Sequence, residues 1–322
     1  MRPVMARMLA ALFALSLAIA CLALPGKAHA NVTCSVTSAT IAFGTSSTGT
    51  GSIAYSCNSS DIGGDNFTLC GLLGTPGSGT TAAPKMTSGA YSMNFNLYTN
   101  SARTTAWTTS TMITGAVTMP ASLGGSTVTG SIPFYGTIPG GQAPASGTYN
   151  ATFSGTILGV VEGGTCNQTY NNILVLVFTG ASTSLTASAM VPSNCTVIAG
   201  TALSLGAVLA TASSVSGNTT IMVNCTLATP YYLGLSPSNN STTGAGVLTG
   251  TGGNTDHPAY QLRSVSTTGP VWGNTATASS VGNGVAGTGT AATQTITAYA
   301  TLSSANVTPD SYSDTVTVNV NY

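Results

Sequence analysis

The chain has 322 residues, of which only 4% are charged, six Lys/Arg balancing six Asp/Glu. Binding to nucleic acid or to an anionic membrane surface needs a run of cations against phosphates, and this sequence has none. Gly, Thr, Ser, Ala and Val dominate with few helix formers in register, so the fold class is all-β.

Residues 1–30 carry Arg2 and Arg7, an apolar run to Leu24, and Ala28-His29-Ala30, a small-x-small cleavage site. This reads as a secretory signal peptide; an imperfect lipobox at Ala18-Ile19-Ala20-Cys21 is the alternative. Beyond it, Lys85, Arg103 and Arg263 face six acids, a net charge of −3. Six cysteines follow (Cys34, Cys57, Cys70, Cys166, Cys195 and Cys225), an even number that in an exported chain reads as three disulfides. CxxC pairs and His-rich clusters are absent, so neither a metal nor a cofactor is expected.

In chain order, CSVTSATIAFG from Cys34 and GSIAYSC to Cys57 read as two strands. NFNLYTNSARTTAW then ends at Trp107, and SIPFYGTIPGGQAPASGTYNATF holds Tyr149. Ile173–Phe178 is apolar on both faces, as in a strand buried within a core. The same series then recurs. CTVIAGTALSLG starts at Cys195, NTTIMVNC ends at Cys225, AYQLRSVSTTGPVW ends at Trp272, and TITAYATLSSANVTPDSYSDTV holds Tyr312. Offsets between matched points run from 161 to 168 residues, as a duplication with loop insertions gives. Two domains follow, 31–191 and 192–322, each with short strands between turn-rich segments, the pattern of a β-sandwich. The repeat pairs Cys34 with Cys57 and Cys195 with Cys225, leaving Cys70 for Cys166. The chain closes on DSYSDTVTVNVNY, where Val316, Val318, Val320 and Tyr322 alternate with polar residues as in a half-buried strand.

Catalysis has little to stand on. After residue 30 the sequence has one His (His257), one Glu (Glu162) and one Lys (Lys85). Asp256 beside His257 is sequence adjacency in a Gly/Asn-rich turn, not triad geometry. Asp61–Asn66 lacks the ligand spacing of a calcium loop. Trp107 and Trp272 suit carbohydrate stacking, but their matched places argue for a shared structural role. No enzyme is expected.

Each half resembles the spore coat protein U-like domain of archaic, Csu-type chaperone–usher pilus subunits. The residues that carry the likeness are an early Cys, Phe43-Gly44 or Leu205-Gly206, a second Cys, a Tyr-rich strand, a Trp, and the final DSYSDTVTVNVNY. The first half is looser, since GTYNATFSGTI lacks the acid and two cysteines are added. The resemblance implies tandem immunoglobulin-like β-sandwiches, the C-terminal one an incomplete pilin domain lacking its last strand. It implies a periplasmic chaperone, an outer-membrane usher and a neighbouring subunit that donates a strand by β-augmentation. Val316, Val318, Val320 and Tyr322 then edge the acceptor groove.

A subunit that donates a strand needs a dozen or so residues before its first Cys, at about 3.3 Å each. Cleavage after Ala30 leaves three, so a tip adhesin is expected, exported through the periplasm to the pilus tip and serving surface attachment and biofilm formation. A non-adhesive pilus or coat subunit is the alternative, and a secreted lectin or hydrolase a more distant one. In a tip subunit the first domain closes itself, with Ile173–Phe178 as the expected strand and Leu185–Val191 as the competitor. The adhesive surface is sought in three insertions, for a hydrophobic or abiotic surface. The first holds Ala82, Ala83, Pro84 and Met86, and the second Met112, Ile113, Val117, Met119, Pro120 and Leu123. Ile138, Pro139, Ala143 and Pro144 belong to the third. Ile113, Val117 and Met119 also suit a core-facing strand.

Overall fold

The computed structural model describes residues 32–60, 64–162, 166 and 181–322. Residues 1–31 and Ile173–Phe178 lie outside the described residues. Every regular element among them is a strand. In the first half these are β1 (Val32–Gly44), β2 (Thr48–Ser59), β3 (Asp65–Leu72), β4 (Thr75–Pro76), β5 (Gly79–Thr80) and β6 (Ala83–Ser88). There follow β7 (Tyr91–Asn94), β8 (Asn96–Tyr98), β9 (Ile113–Met119), β10 (Ser126–Thr137), β11 (Gly147–Glu162) and β12 (Ala181–Val191). The second half has β13 (Cys195–Ala199), β14 (Ser213–Cys225), β15 (Pro230–Ser236) and β16 (Ala245–Val247). It ends with β17 (Ala259–Ser264), β18 (Val285–Thr288), β19 (Thr293–Ser304) and β20 (Thr317–Asn321).

The two halves share one plan. β1-β2-β10-β8 in the first matches β13-β14-β19-β17 in the second, and β9-β3-β11 matches β18-β15-β20. Each half packs these two layers about its own hydrophobic core.

The residues that marked the repeat do the same work twice. Cys34 lies opposite Cys57, and Cys195 opposite Cys225, in the first strand pair of each half, and both pairs are disulfide-bonded. The buried Trp107 donates its indole N–H to the Gly71 carbonyl on β3 at 3.2 Å, and Trp272 to Leu233 on β15 at 2.9 Å. These rings fill cores and are not open stacking platforms. Tyr149 and Tyr312 each donate a hydroxyl to the carbonyl four residues back, on Ala145 and Thr308, fixing the corner at the start of β11 and the one before β20. Gly44 and Gly206 both adopt positive φ, 58° and 74°, a conformation that L-residues with a Cβ resist. That explains the glycine after Phe43 and after Leu205.

One difference separates the halves. In the first, β12 lies between β1 and β11 and hydrogen-bonds to both, fusing the two layers into a twelve-stranded sheet. In the second, the layers remain a five-stranded and a three-stranded sheet.

Candidate functional site

The site is the seam between the two layers, present once in each half. In the first half β12 runs parallel to β1, with Thr40 opposite Thr186 and Ile41 opposite Ala187. It runs antiparallel to β11, from Gly147 opposite Val191 to Leu158 opposite Ala181. The strand alternates with period two. Leu185, Ala187 and Ala189 are buried, Val191 packs against the core, and Ser184, Thr186 and Met190 are exposed. The slot expected for Ile173–Phe178 is therefore filled by Ala181–Val191, which contains the competing segment. The physical reason is sidedness: a strand at a seam needs one apolar face, and Leu185–Val191 has one.

In the second half the matching walls are β13 with the chain after it, and β20. Among the described residues each is a sheet edge: β13 pairs with β14 alone, and β20 with β15 alone. No strand lies between them among the described residues. β13 stops at Ala199, whereas β1 extends to Gly44, with Thr40 to Gly44 laddered on β12. Leu203, Leu205, Val316, Val318 and Val320 stay half-buried against the core, where the first-half counterparts Ile41, Phe43 and Phe153 are buried. Tyr322, at the end of the expected groove edge, is 46% exposed. An open edge beside part-covered apolar side chains can take one more strand.

A polar clamp holds the β20 wall. The Asp310 carboxylate accepts the side-chain hydroxyl of Thr251, the Thr251 N–H at 2.8 Å and the Asn254 amide at 2.9 Å. These bonds, with that of Thr251 the largest influence, lower its pKa to about 2. Asp256 accepts the Thr308 N–H at 2.7 Å and is likewise held below the usual carboxylate range by it. Tyr260 donates to Asp314 at 2.5 Å; burial first, then that carboxylate, push the phenol up. Asp256 thus anchors a loop rather than serving His257.

The expected contact loops fare differently. Pro84 and Met86 are buried in β6, and Ile113, Val117 and Met119 are buried along β9. The alternation of ITGAVTM is that of a half-buried strand, so its apolar residues turn inward, which corrects their assignment to a contact surface. Ile138 packs against the core, and Met112 and Pro144 are half-buried. Ala82, Ala83, Pro139 and Ala143 are exposed. The third loop also sits at the wrong end, since the Ser146 N–H bonds the Leu227 carbonyl of the second half at 2.9 Å. At the opposite end, the turn between β9 and β10 leaves Leu123 91% exposed. Leu123 was already placed in the second insertion, and it is the large apolar residue of that insertion that stays exposed.

Other surfaces offer less. A hollow of about 580 Å³ in the second half is lined by Ser214, Ser216, Gln261, Arg263, Thr268 and Thr301, with no acid–base pair. No group of three His, Cys, Asp or Glu that could hold a metal occurs among the described residues.

The profile of the Spore Coat Protein U domain family matches residues 20–156 and again 181–319. The second match starts at Ala181, the first residue of β12. Among solved structures, the chain is similar to the chaperone–tip adhesion subunit pre-assembly complex of archaic chaperone–usher Csu pili from Acinetobacter baumannii. That alignment has 15% identity and a TM-score of 0.46, covering 90% of this chain and 100% of the other. The adhesive subunit of CFA/I fimbria of enterotoxigenic Escherichia coli aligns at 8% identity and TM-score 0.38, over 79% and 81% of the two chains. No curated protein shows significant similarity to the chain.

Proposed function

The chain belongs to the Spore Coat Protein U domain family, and from that premise we propose that it is a non-enzymatic pilus subunit whose C-terminal domain accepts a strand from a neighbouring molecule. The observation that carries this reading is the paired seam: filled by β12 in the first half, open between β13 and β20 in the second. A periplasmic chaperone would occupy the open seam first and a neighbouring subunit afterwards, at an outer-membrane usher. The boundary falls at the Pro192–Asn194 linker between β12 and β13, giving domains 31–191 and 192–322.

The finer reading is a tip adhesin on the cell surface. A first domain closed by its own chain needs no partner strand and is free to present its far end to a hydrophobic or abiotic surface, as attachment and biofilm formation require. The Pro120–Gly125 turn with Leu123 is the contact element best supported, and Ala82, Ala83, Pro139 and Ala143 are lesser contributors.

The test is a strand-addition assay on the full chain. A synthetic peptide carrying the alternation of Leu185–Val191 is expected to raise the melting temperature of the C-terminal domain, and one with charges at the inward positions to leave it unchanged. Equal response to both peptides sinks the acceptor reading.

A further inference from the structure

We propose that the Cys70–Cys166 disulfide is a mechanical stop: it confines force-driven opening of the N-terminal domain to release of β12. The proposal rests on the reading that tension runs between the two domains, but its test uses neither adhesion nor fibre assembly.

Two disulfides repeat between the halves and join directly opposed residues of neighbouring strands. Cys70–Cys166 has no such counterpart. It ties the interior of β3, where Cys70 is wholly buried, to a point between the end of β11 and the start of β12. Only the half whose seam is filled by its own chain carries it.

Strand directions show what that tie resists. β12 passes into β13 through Pro192–Asn194, so a pull on the second domain reaches β12 at Val191, along its axis. Its ladders with β1 and β11 are then loaded together, in shear. If they yield, tension moves back along the covalent chain to Cys166. Without the disulfide, the next ladder back along the chain among the described residues is that of β11, which ends at Glu162. A strand pulled from that end peels from β3 one pair at a time, beginning with Glu162 and Phe67. With the disulfide, the force enters β3 at Cys70 instead. β3 is flanked by β11 and β9, so both ladders hold it. The last strand can slip out and return while the rest of the domain stays folded.

Single-molecule pulling on the full-length chain tests this, with one handle inserted in the Pro120–Gly125 turn and the other in the Pro192–Asn194 linker. The first step should free the 27 residues from Cys166 to Ser193, about 90 Å of extended chain. On relaxation the length should be recovered. A separate, later step should free the remainder of the 70 residues between Leu123 and Ser193, about 240 Å in all. In Cys70→Ser/Cys166→Ser the two steps should merge into one. A double variant that keeps the short first step overturns the proposal. So does a wild-type chain that opens in one long step, a result that decides even if the variant does not fold. Loss of surface adhesion in a separate assay would sink the tip reading and leave these traces unaffected.

Discussion

Leu185 lies directly opposite Phe153 across the β12–β11 ladder, and both side chains are wholly buried. The strand that closes the N-terminal domain is thus packed into its core, not laid over it. Leu185→Ala should cost about 2–5 kcal/mol, the range for a buried leucine removed from a core. Thr186→Ala, on the exposed face, should stay within about 0.5 kcal/mol. Urea unfolding with both slopes measured makes the comparison, and equal costs would remove β12 from the core.

The open seam should behave as a binding site for an extended strand. At 100 times its dissociation constant, a donor peptide should stabilise the C-terminal domain by about 2.7 kcal/mol. Val318→Asp puts a charge on the half-buried face of β20 and should abolish the gain. Differential scanning calorimetry with and without peptide reads the effect.

Surface contact and core packing separate cleanly by mutation. Leu123→Ser should lower adsorption to hydrophobic beads while shifting stability by less than about 0.5 kcal/mol. Met119→Ala should instead destabilise by about 2–5 kcal/mol, because that side chain is buried. Unchanged adsorption of Leu123→Ser would remove the turn from the contact surface.

The Asp310 clamp gives the second domain an acid-sensitive edge. Its folded pKa, about 2, lies below the ordinary value of 3.8. The stabilisation is therefore complete above the ordinary value and is lost as pH falls through the folded one. Melting temperature should drop between about pH 4 and pH 2, and Asp310→Asn should flatten that drop. A variant that follows the wild-type curve through this window would remove Asp310 from the clamp.

The tyrosine corners offer a matched pair of tests. Tyr149→Phe and Tyr312→Phe each remove one hydroxyl bonded to a carbonyl four residues back. Each should cost about 0.5–1.5 kcal/mol, Tyr149 at the upper end since it is buried. Hydrogen exchange of β11 and β20 would show which strand each corner holds.

Much of this was legible because it is local or repeated. The strand alternation, the duplication and the matched Cys, Trp and Tyr positions need no knowledge of distant contacts, since the same chemistry recurs at nearly constant spacing. What sequence periodicity cannot report is which sheet edge a strand joins. Ile173–Phe178 and Leu185–Val191 are both credible strands, and only the long-range ladder of β12 on β1 and β11 decides that the seam takes Ala181–Val191. Met86 read only as a loop residue, whereas Ile113, Val117 and Met119 also suited a core-facing strand, and the structure buries all four. Their inward face is set by partner strands far along the chain, as with Asp65 opposite Met119. Asp310, too, finds Thr251 and Asn254 only when the final strand is in place. Composition and repetition determined an all-β, duplicated chain, and the resemblance gave the expectation of a self-closed first half and an incomplete second; tertiary pairing alone decided that Ala181–Val191 is the strand that closes the first, because the energy of a strand at an edge depends on both of its neighbours.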